Sequence, residues 1–296
     1  MRTHITVYHY DAFSTIPNKG NPAGVVLSEE LLTEHQMQKI AYNVGFNETV
    51  FILKSEVAEV KLKYFTPGHE INLCGHATMA SLYCLKTRGL LGDKNQIRIE
   101  TNVGILEINF SMQNRILFIE MNQSPATFQP FNGDVDKLAQ SIGLSNHDID
   151  GSIPIVYGST GTWTLLIPIL RLDAFKRMNP SSNEFPQILL DNPRASIHPF
   201  CLETEHSDAF MHARHFSSPF SGTIEDPVTG TASGVMGAYY LKYMNREVDH
   251  FMLIVEQGQE IGRDGRVIVT AMRSDESINV SITGTAVFVK EMIIQL

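Results

Sequence analysis

A chain of 296 residues with 43% hydrophobic and 19% charged residues has room for two globular domains of about 150 residues each. Its formal net charge is −9, and its 23 Lys and Arg never gather into a run. That distribution argues against a phosphate-binding face, and so against nucleic acid as a partner. The three cysteines, Cys74, Cys84 and Cys201, are odd in number and form no CxxC, which fits a reduced, cytoplasmic protein rather than a disulfide framework.

In chain order, the polar–apolar alternation from Met1 to Tyr10 predicts a strand and offers no apolar core of a secretory signal. Thr33-x-x-Gln36 has the form of a capping box, Met37, Ile40, Ala41 and Val44 share one helical face, and Gly45 supplies the stop. Residues 59–66 alternate as a strand, and so do stretches within 96–110 and 115–121. Turn formers crowd residues 122–132, in Asn122-Gln-Ser-Pro and Gln129-Pro-Phe-Asn-Gly, and predict the division between domains. Val135, Leu138, Ala139 and Ile142 predict a second helix, again followed by a glycine, Gly143. The apolar stretch from Leu165 to Leu170 is broken by Pro168 and falls far short of the ~20 residues that span a bilayer, so no membrane partner is expected.

An internal repeat carries most of the information. Lys63-Tyr-Phe-Thr-Pro67 precedes Glu70-Ile-Asn-Leu-Cys-Gly-His-Ala-Thr78, and Arg214-His-Phe-Ser-Ser-Pro219 precedes Glu225-Asp-Pro-Val-Thr-Gly-Thr-Ala-Ser233. The spacing from Glu70 to Gly75 equals that from Glu225 to Gly230, and each glycine is followed by x-Ala-(Thr/Ser) and a stretch of small and apolar residues. The second copy has four more residues between its phenylalanine and its glycine. A duplicated mixed α/β unit predicts two similar domains facing each other across a cleft.

Each copy reads as a strand leading through a tight glycine turn into a helix. The first turn of a helix exposes unpaired N–H groups, and its dipole adds partial positive charge. Two such starts, Gly75 to Ala77 and Gly230 through Thr231 to Ala232, would together hold a carboxylate without Arg or Lys; alternatively, the glycines serve only the turns. Glu48, in Phe46-Asn-Glu-Thr-Val-Phe51, faces either solvent or the cleft, and in the cleft it is a candidate general acid/base. His76 is a catalytic candidate or a plain surface or capping residue. Asp226, before Pro227, is a catalytic candidate or simply the organiser of a turn. Cys74 invites a nucleophile reading, but its counterpart in the repeat is Thr229, so a symmetric two-thiol racemase is not available. No Rossmann fingerprint, P-loop, HExxH or GxSxG occurs. His212-x-x-His215 is not read as a metal pair, because strand positions three apart face opposite sides.

These residues resemble the PhzF-like (phenazine biosynthesis-like) proteins of the diaminopimelate-epimerase-like fold, and the YddE-like branch at least as closely as the phenazine enzymes. The resemblance runs through Tyr8-His-Tyr-Asp-Ala-Phe13, Gly20-Asn-Pro-Ala-Gly24, Glu48-Thr-Val-Phe51, Tyr64-Phe-Thr-Pro67, Cys74-Gly-His-Ala-Thr78, Glu225-Asp-Pro-Val-Thr-Gly230 and Gly262-Arg-Asp-Gly265. It implies an α+β fold of two pseudo-symmetric lobes, each a β-barrel-like sheet around a central helix. It places residues 1–124 and a final strand near 285–296 in the first lobe, and 125–284 in the second. It also implies a homodimer and a reaction without metal or other cofactor. In the phenazine branch the glutamate of E-T-x-F moves a proton within a dihydroxylated, cyclohexadiene-type amino acid, a role that falls here on Glu48. His76 and Asp226 become polar groups around the substrate, and Gly230 with Thr231 an anion cradle.

The expected activity is therefore that of an isomerase or epimerase acting on a small anionic metabolite. A non-catalytic binding protein that keeps the cleft, and a metal-dependent hydrolase, are the alternatives. Turnover separates the first from the isomerase, and loss of activity with a chelator the second.

Overall fold

The computed structural model describes residues 4–27, 32–275 and 277–295, so the outermost residues of the two expected terminal strands, 1–3 and 296, lie outside the described residues. Contacts divide the chain into two units, Met1–Asn122 with Thr283–Leu296, and Gln123–Ile282.

In the first unit, β1 (His4–Ala12) lies antiparallel to the chain's last strand, β17 (Ala286–Gln295), and to β2 (Asn21–Leu27). β2 runs parallel to β3 (Glu48–Leu53), which is antiparallel to β4 (Val60–Phe65). β4 is antiparallel to the short β5 (Glu70–Ile71) and parallel to β6 (Gln96–Thr101). β7 (Gly104–Gln113) and β8 (Ile116–Asn122) complete an antiparallel meander from β6.

Two helices of opposite character serve this sheet. α1 (Glu34–Val44) is local in origin: Thr33 and Gln36 form the reciprocal capping box, and Gly45 takes the left-handed conformation, φ 72°, at the C-cap. Such a cap stabilises a helix by about 1 kcal/mol. The buried face of α1, Met37, Ile40 and Ala41, packs with Ile5, Val26, Phe51 and Phe65. α2 (Gly75–Thr87) is instead buried from His76 to Leu82 and packs against β1, β2, β3, β8 and β17. A helix without a polar face belongs inside a core, and its residues, mostly small or apolar, meet that demand.

In the second unit, β9 (Thr127–Pro130), β10 (Val156–Ser159) and β11 (Trp163–Pro168) are successively antiparallel. β11 is parallel to β12 (Ser196–Cys201), β12 antiparallel to β13 (Met211–Ala213), β13 parallel to β14 (His250–Gln257), and β14 antiparallel to β15 (Gly265–Arg273). α3 (Val135–Ser141), capped by Asp134, and α4 (Phe185–Ile188) cover Leu165, Ile167 and Ile197. α5 (Gly230–Tyr239) is the buried helix of this unit and packs against β10, β14 and β15. Gly237 permits the approach: a Cβ there would lie 2.6 Å from Cγ1 of Val269. β16 (Ile278–Gly284) adds Val280 and Ile282 beside Gly234 of α5.

The order of pairing is the same in both units. Counted from β17 and from β9, it runs antiparallel, antiparallel, parallel, antiparallel, parallel, antiparallel. The repeat is matched in register as well. Phe65 pairs with Thr49 and Glu70, whereas Phe216 bridges Ile197 and Glu225. Lys63 reaches Glu70 at 3.4 Å and Arg214 reaches Glu225 at 2.7 Å. Thr78 Oγ1 donates to the Cys74 carbonyl at 2.7 Å, and Ser233 Oγ to the Thr229 carbonyl at 2.9 Å. The four extra residues of the second copy are absorbed in the turn between Phe216 and Glu225. No helix among the described residues is long and apolar enough to cross a membrane.

Candidate active site

Glu48 is the first residue of β3, and β3 lies against α2, whose first turn carries His76. His76 Nε2 stands 3.0 Å from Glu48 Oε2, although 28 positions separate them in sequence. The glutamate side chain is 17% exposed and the histidine 8%. Oε2 itself is buried and accepts no well-formed hydrogen bond among the described residues. A buried carboxylate oxygen with unspent accepting capacity is costly unless something binds there. On the far side of the ring, the Asn21 amide nitrogen lies 3.2 Å from Nδ1. An amide can present either its NH2 or its oxygen, so Nδ1 keeps a partner whether or not it carries a proton.

Cys74 is the N-cap of α2, extended at φ −142°. Its Sγ is 3.4 Å from His76 Nδ1 and 3.8 Å from Nε2. Burial pushes the Cys74 thiol up, the Glu48 charge adds to that, and His76 only partly offsets it. The thiolate is the nucleophilic form of cysteine, so this environment keeps Cys74 inert near neutral pH. Burial works against charge on His76 too, but the Cys74 sulfur and the Glu48 carboxylate outweigh it and hold the imidazole well above its ordinary range.

The counterpart in the second unit is the turn before α5. Thr229 Oγ1 donates to Asp226 Oδ2, its amide donates to Gln257 Oε1 at 3.1 Å, and Gln257 Nε2 donates to the Asp226 carbonyl at 2.7 Å. Thr160 Oγ1 donates to the Thr231 carbonyl at 3.1 Å. Asp226 thus organises its turn through its side chain while standing next to the helix start. Neither Cys74 nor Thr229 makes a well-formed side-chain cap to its helix, and the Ala77 amide lies against the Cys74 sulfur.

The structure brings Glu48, Gly75, His76 and Ala77 together in the first unit and Asp226, Gly230, Thr231 and Ala232 together in the second. Sequence reasoning missed Asn21 and Gln257 as supports. Asn21 stands in the quoted Gly20-Asn-Pro-Ala-Gly24 motif, but nothing near Gln257 marks it. It also missed a buried pair of rings, His198 and His215, whose Nδ1 atoms are 3.1 Å apart while His198 Nε2 meets Met236 Sδ at 3.0 Å. Burial holds both of these imidazoles below their ordinary range; the His215 ring adds to the lowering at His198, whereas Asp226 works the other way at His215. His212, by contrast, turns to Glu256 and Glu260, each at 2.8 Å, so the two histidines of His212-x-x-His215 serve different clusters.

The register also settles what occupies the place of Glu48 in the other unit. Because Phe65 faces Thr49 and Phe216 faces Ile197, the residue equivalent to Glu48 is Ser196, whose hydroxyl donates to Thr164 Oγ1 at 2.8 Å. The carboxylate has no acidic or basic twin.

A family model described as phenazine biosynthesis-like protein matches residues 10–292. The chain is similar to the uncharacterized isomerase YfhB of Bacillus subtilis, at 50% identity over 290 residues, covering 98% of each chain. It is similar to the uncharacterized isomerase YddE of Escherichia coli at 34% identity over 287 residues, covering 95% of each. Among solved structures, a phenazine biosynthesis protein of the PhzF family from Bacillus anthracis matches with a TM-score of 0.98 and 53% identity, covering 100% of both chains.

Proposed function

The chain belongs to the phenazine biosynthesis-like family, and on that premise we propose that it is a cofactor-independent isomerase or epimerase in which Glu48 moves a proton on a small carboxylate-bearing substrate. Isomerase is the class that its relatives' names carry. The single observation that carries the assignment to Glu48 is the buried Oε2, 3.0 Å from a histidine yet without a well-formed hydrogen bond. Among the described residues of the first unit it combines a carboxylate, an unspent acceptor and an adjacent imidazole.

The chemistry follows from those three. The Glu48 carboxylate takes a proton from a carbon next to a carboxylate or conjugated system, forming an O–H bond while the C–H electron pair delocalises into that system. The acid so formed returns the proton to another carbon of the same framework, and Glu48 is regenerated. General acid/base transfer of this kind is typically worth ~10²–10⁴-fold. His76 orients the carboxylate and offers a polar N–H to the substrate, and Asp226 fixes polar groups of the substrate. The first-turn amides Gly75 to Ala77 bind its anionic group, which needs no Arg or Lys; those of Gly230 to Ala232 are an anion cradle of the same kind in the second unit. Negative charge that develops on the substrate is stabilised by the same fixed dipoles.

A single carrier fits this chain better than a two-base racemisation. Two-base chemistry needs a second group across from the first, and the equivalents of Glu48 and Cys74 are Ser196 and Thr229, which are not bases at neutral pH. The same reading takes each unit as a β-barrel-like sheet around its helix, α2 or α5, and the assembly as a homodimer.

A screen of small carboxylate metabolites in D2O tests the reaction directly. Carbon-bound deuterium appearing with wild-type protein and vanishing with Glu48→Gln is the expected result. Ligand binding without any exchange would assign the chain to non-catalytic binding, and hydrolysis abolished by a chelator would assign it to metal-dependent chemistry.

A further inference from the structure

Glu48, Cys74 and His76 present one carboxylate oxygen, one sulfur and one ring nitrogen, all within 4.8 Å of one another, and the cysteine and histidine are buried. Among the described residues this is the one such grouping of three His, Cys, Asp or Glu side chains. The donors differ in kind, and the mixture suits a borderline-soft divalent ion better than Mg2+ or Ca2+, which prefer oxygen alone. We propose that this trio is a capture site for Zn2+ or the larger, softer Cd2+, and that an ion seated there inhibits the enzyme.

The spacing supports the assignment. Zinc bonds of about 2.3 Å to sulfur and about 2.0–2.2 Å to nitrogen and oxygen, at tetrahedral angles, put the donors roughly 3.3–3.6 Å apart. Here Sγ to Nε2 is 3.8 Å, Nε2 to Oε2 is 3.0 Å and all three donors lie within 4.8 Å of one another, so shifts of no more than about an ångström close the site. Little chain entropy opposes this. Cys74 and His76 are carried by the rigid start of a buried helix, and Glu48 by the first residue of a strand packed on it. The Asn21 amide at Nδ1 supplies the supporting contact that ring-nitrogen ligands characteristically have, and it leaves Nε2 to face the ion. Three protein ligands leave one coordination position for water.

On binding, the Cys74 S–H proton and the His76 Nε2–H proton pass to solvent, and metal–sulfur and metal–nitrogen bonds replace them, with no change of oxidation state. Glu48 Oε2, now bound to the cation, is withdrawn from proton transfer. That inhibitory consequence rests on the isomerase reading, whereas capture of the ion does not.

Titration of the full chain with Cd2+ tests capture without any substrate. The expected result is a sulfur-to-cadmium charge-transfer absorption that saturates at one ion per chain, with calorimetry giving the same stoichiometry. Cys74→Ala should weaken binding at least ~100-fold and remove the absorption. A Cys84→Ala, Cys201→Ala double variant should keep both signals, and Cys74→Ser supplies a close isostere should the alanine variant fold poorly. No absorption at excess Cd2+, or an absorption undiminished by Cys74→Ala, would overturn the site. Once a substrate is in hand, Zn2+ should abolish wild-type turnover while leaving Cys74→Ala turnover far less sensitive. Equal sensitivity of the two would overturn the inhibitory role and leave the spectroscopic result to stand or fall separately.

Discussion

His212 and Lys61 hold equivalent places in the two units, each on a strand that faces a glutamate across a parallel pairing. Lys61 reaches Glu100 at 2.7 Å, and His212 reaches Glu256 at 2.8 Å. The lysine pair is partly exposed, whereas His212 and Glu256 are fully buried, with Glu260 closing on the other ring nitrogen. One position thus holds a solvated ion pair in one copy and a buried, titratable one in the other.

This difference predicts how stability depends on pH. Burial alone would lower the pKa of His212, but hydrogen bonds to Glu256 and Glu260 outweigh it and raise it to about 9, from an ordinary 6.5. A pKa raised in the folded state contributes stability that is fully present below about 6.5 and is lost as pH rises through about 9. The shift corresponds to something on the order of 3 kcal/mol. On the acid side Glu256 and Glu260 are held below the ordinary carboxylate range of 4.5, burial being outweighed by the histidine bonds, so their contribution is lost as pH falls below it. Thermal midpoints should therefore drop as pH climbs from neutral through about 9. His212→Gln should be less stable at neutral pH and nearly flat over that climb. A wild type equally flat there would show that the ring is neutral in the fold.

Glu48→Gln keeps the shape and much of the hydrogen bonding of the side chain but removes the basic carboxylate. Ligand affinity should stay near wild type, while turnover and deuterium incorporation fall at least ~100-fold. Glu48→Asp draws the carboxylate back by one methylene and should also be badly impaired, since proton transfer needs heavy atoms within ~3 Å. Wild-type exchange in Glu48→Gln would move the role to another base, with Asp226 and His76 next in line.

Cys74→Ala should retain most turnover, because burial and Glu48 keep the thiol protonated and Thr229 stands at the matching position of the repeat. Kinetics on a variant shown by circular dichroism to be folded decide the matter; complete loss would identify a nucleophile instead.

A small anion soaked into crystals of the protein should bind to backbone N–H groups near Gly75–Ala77 or Gly230–Ala232, the starts of α2 and α5. Electron density for the anion only on Arg or Lys side chains would count against anion binding by helix starts.

Much of this could be read without coordinates, because its causes are local or repeated. Thr33, Gln36 and Gly45 determine the ends of α1 through bonds that span a few residues, and Asp134 with Gly143 does the same for α3 and the turn after it. The two glycine turns stood out because one pattern was written twice. What the tertiary structure alone decided was which side chains meet across long separations. Glu48 could have faced solvent; the parallel pairing of β2 with β3 and the packing of α2 on β3 place it 3.0 Å from His76 instead. Asn21 and Gln257 became supports for the same reason, and Ser196 could be matched to Glu48 only through the register of Phe65 and Phe216. Local bonding marks the ends of elements in the sequence itself, whereas a contact between distant residues exists only once packing has chosen the neighbours.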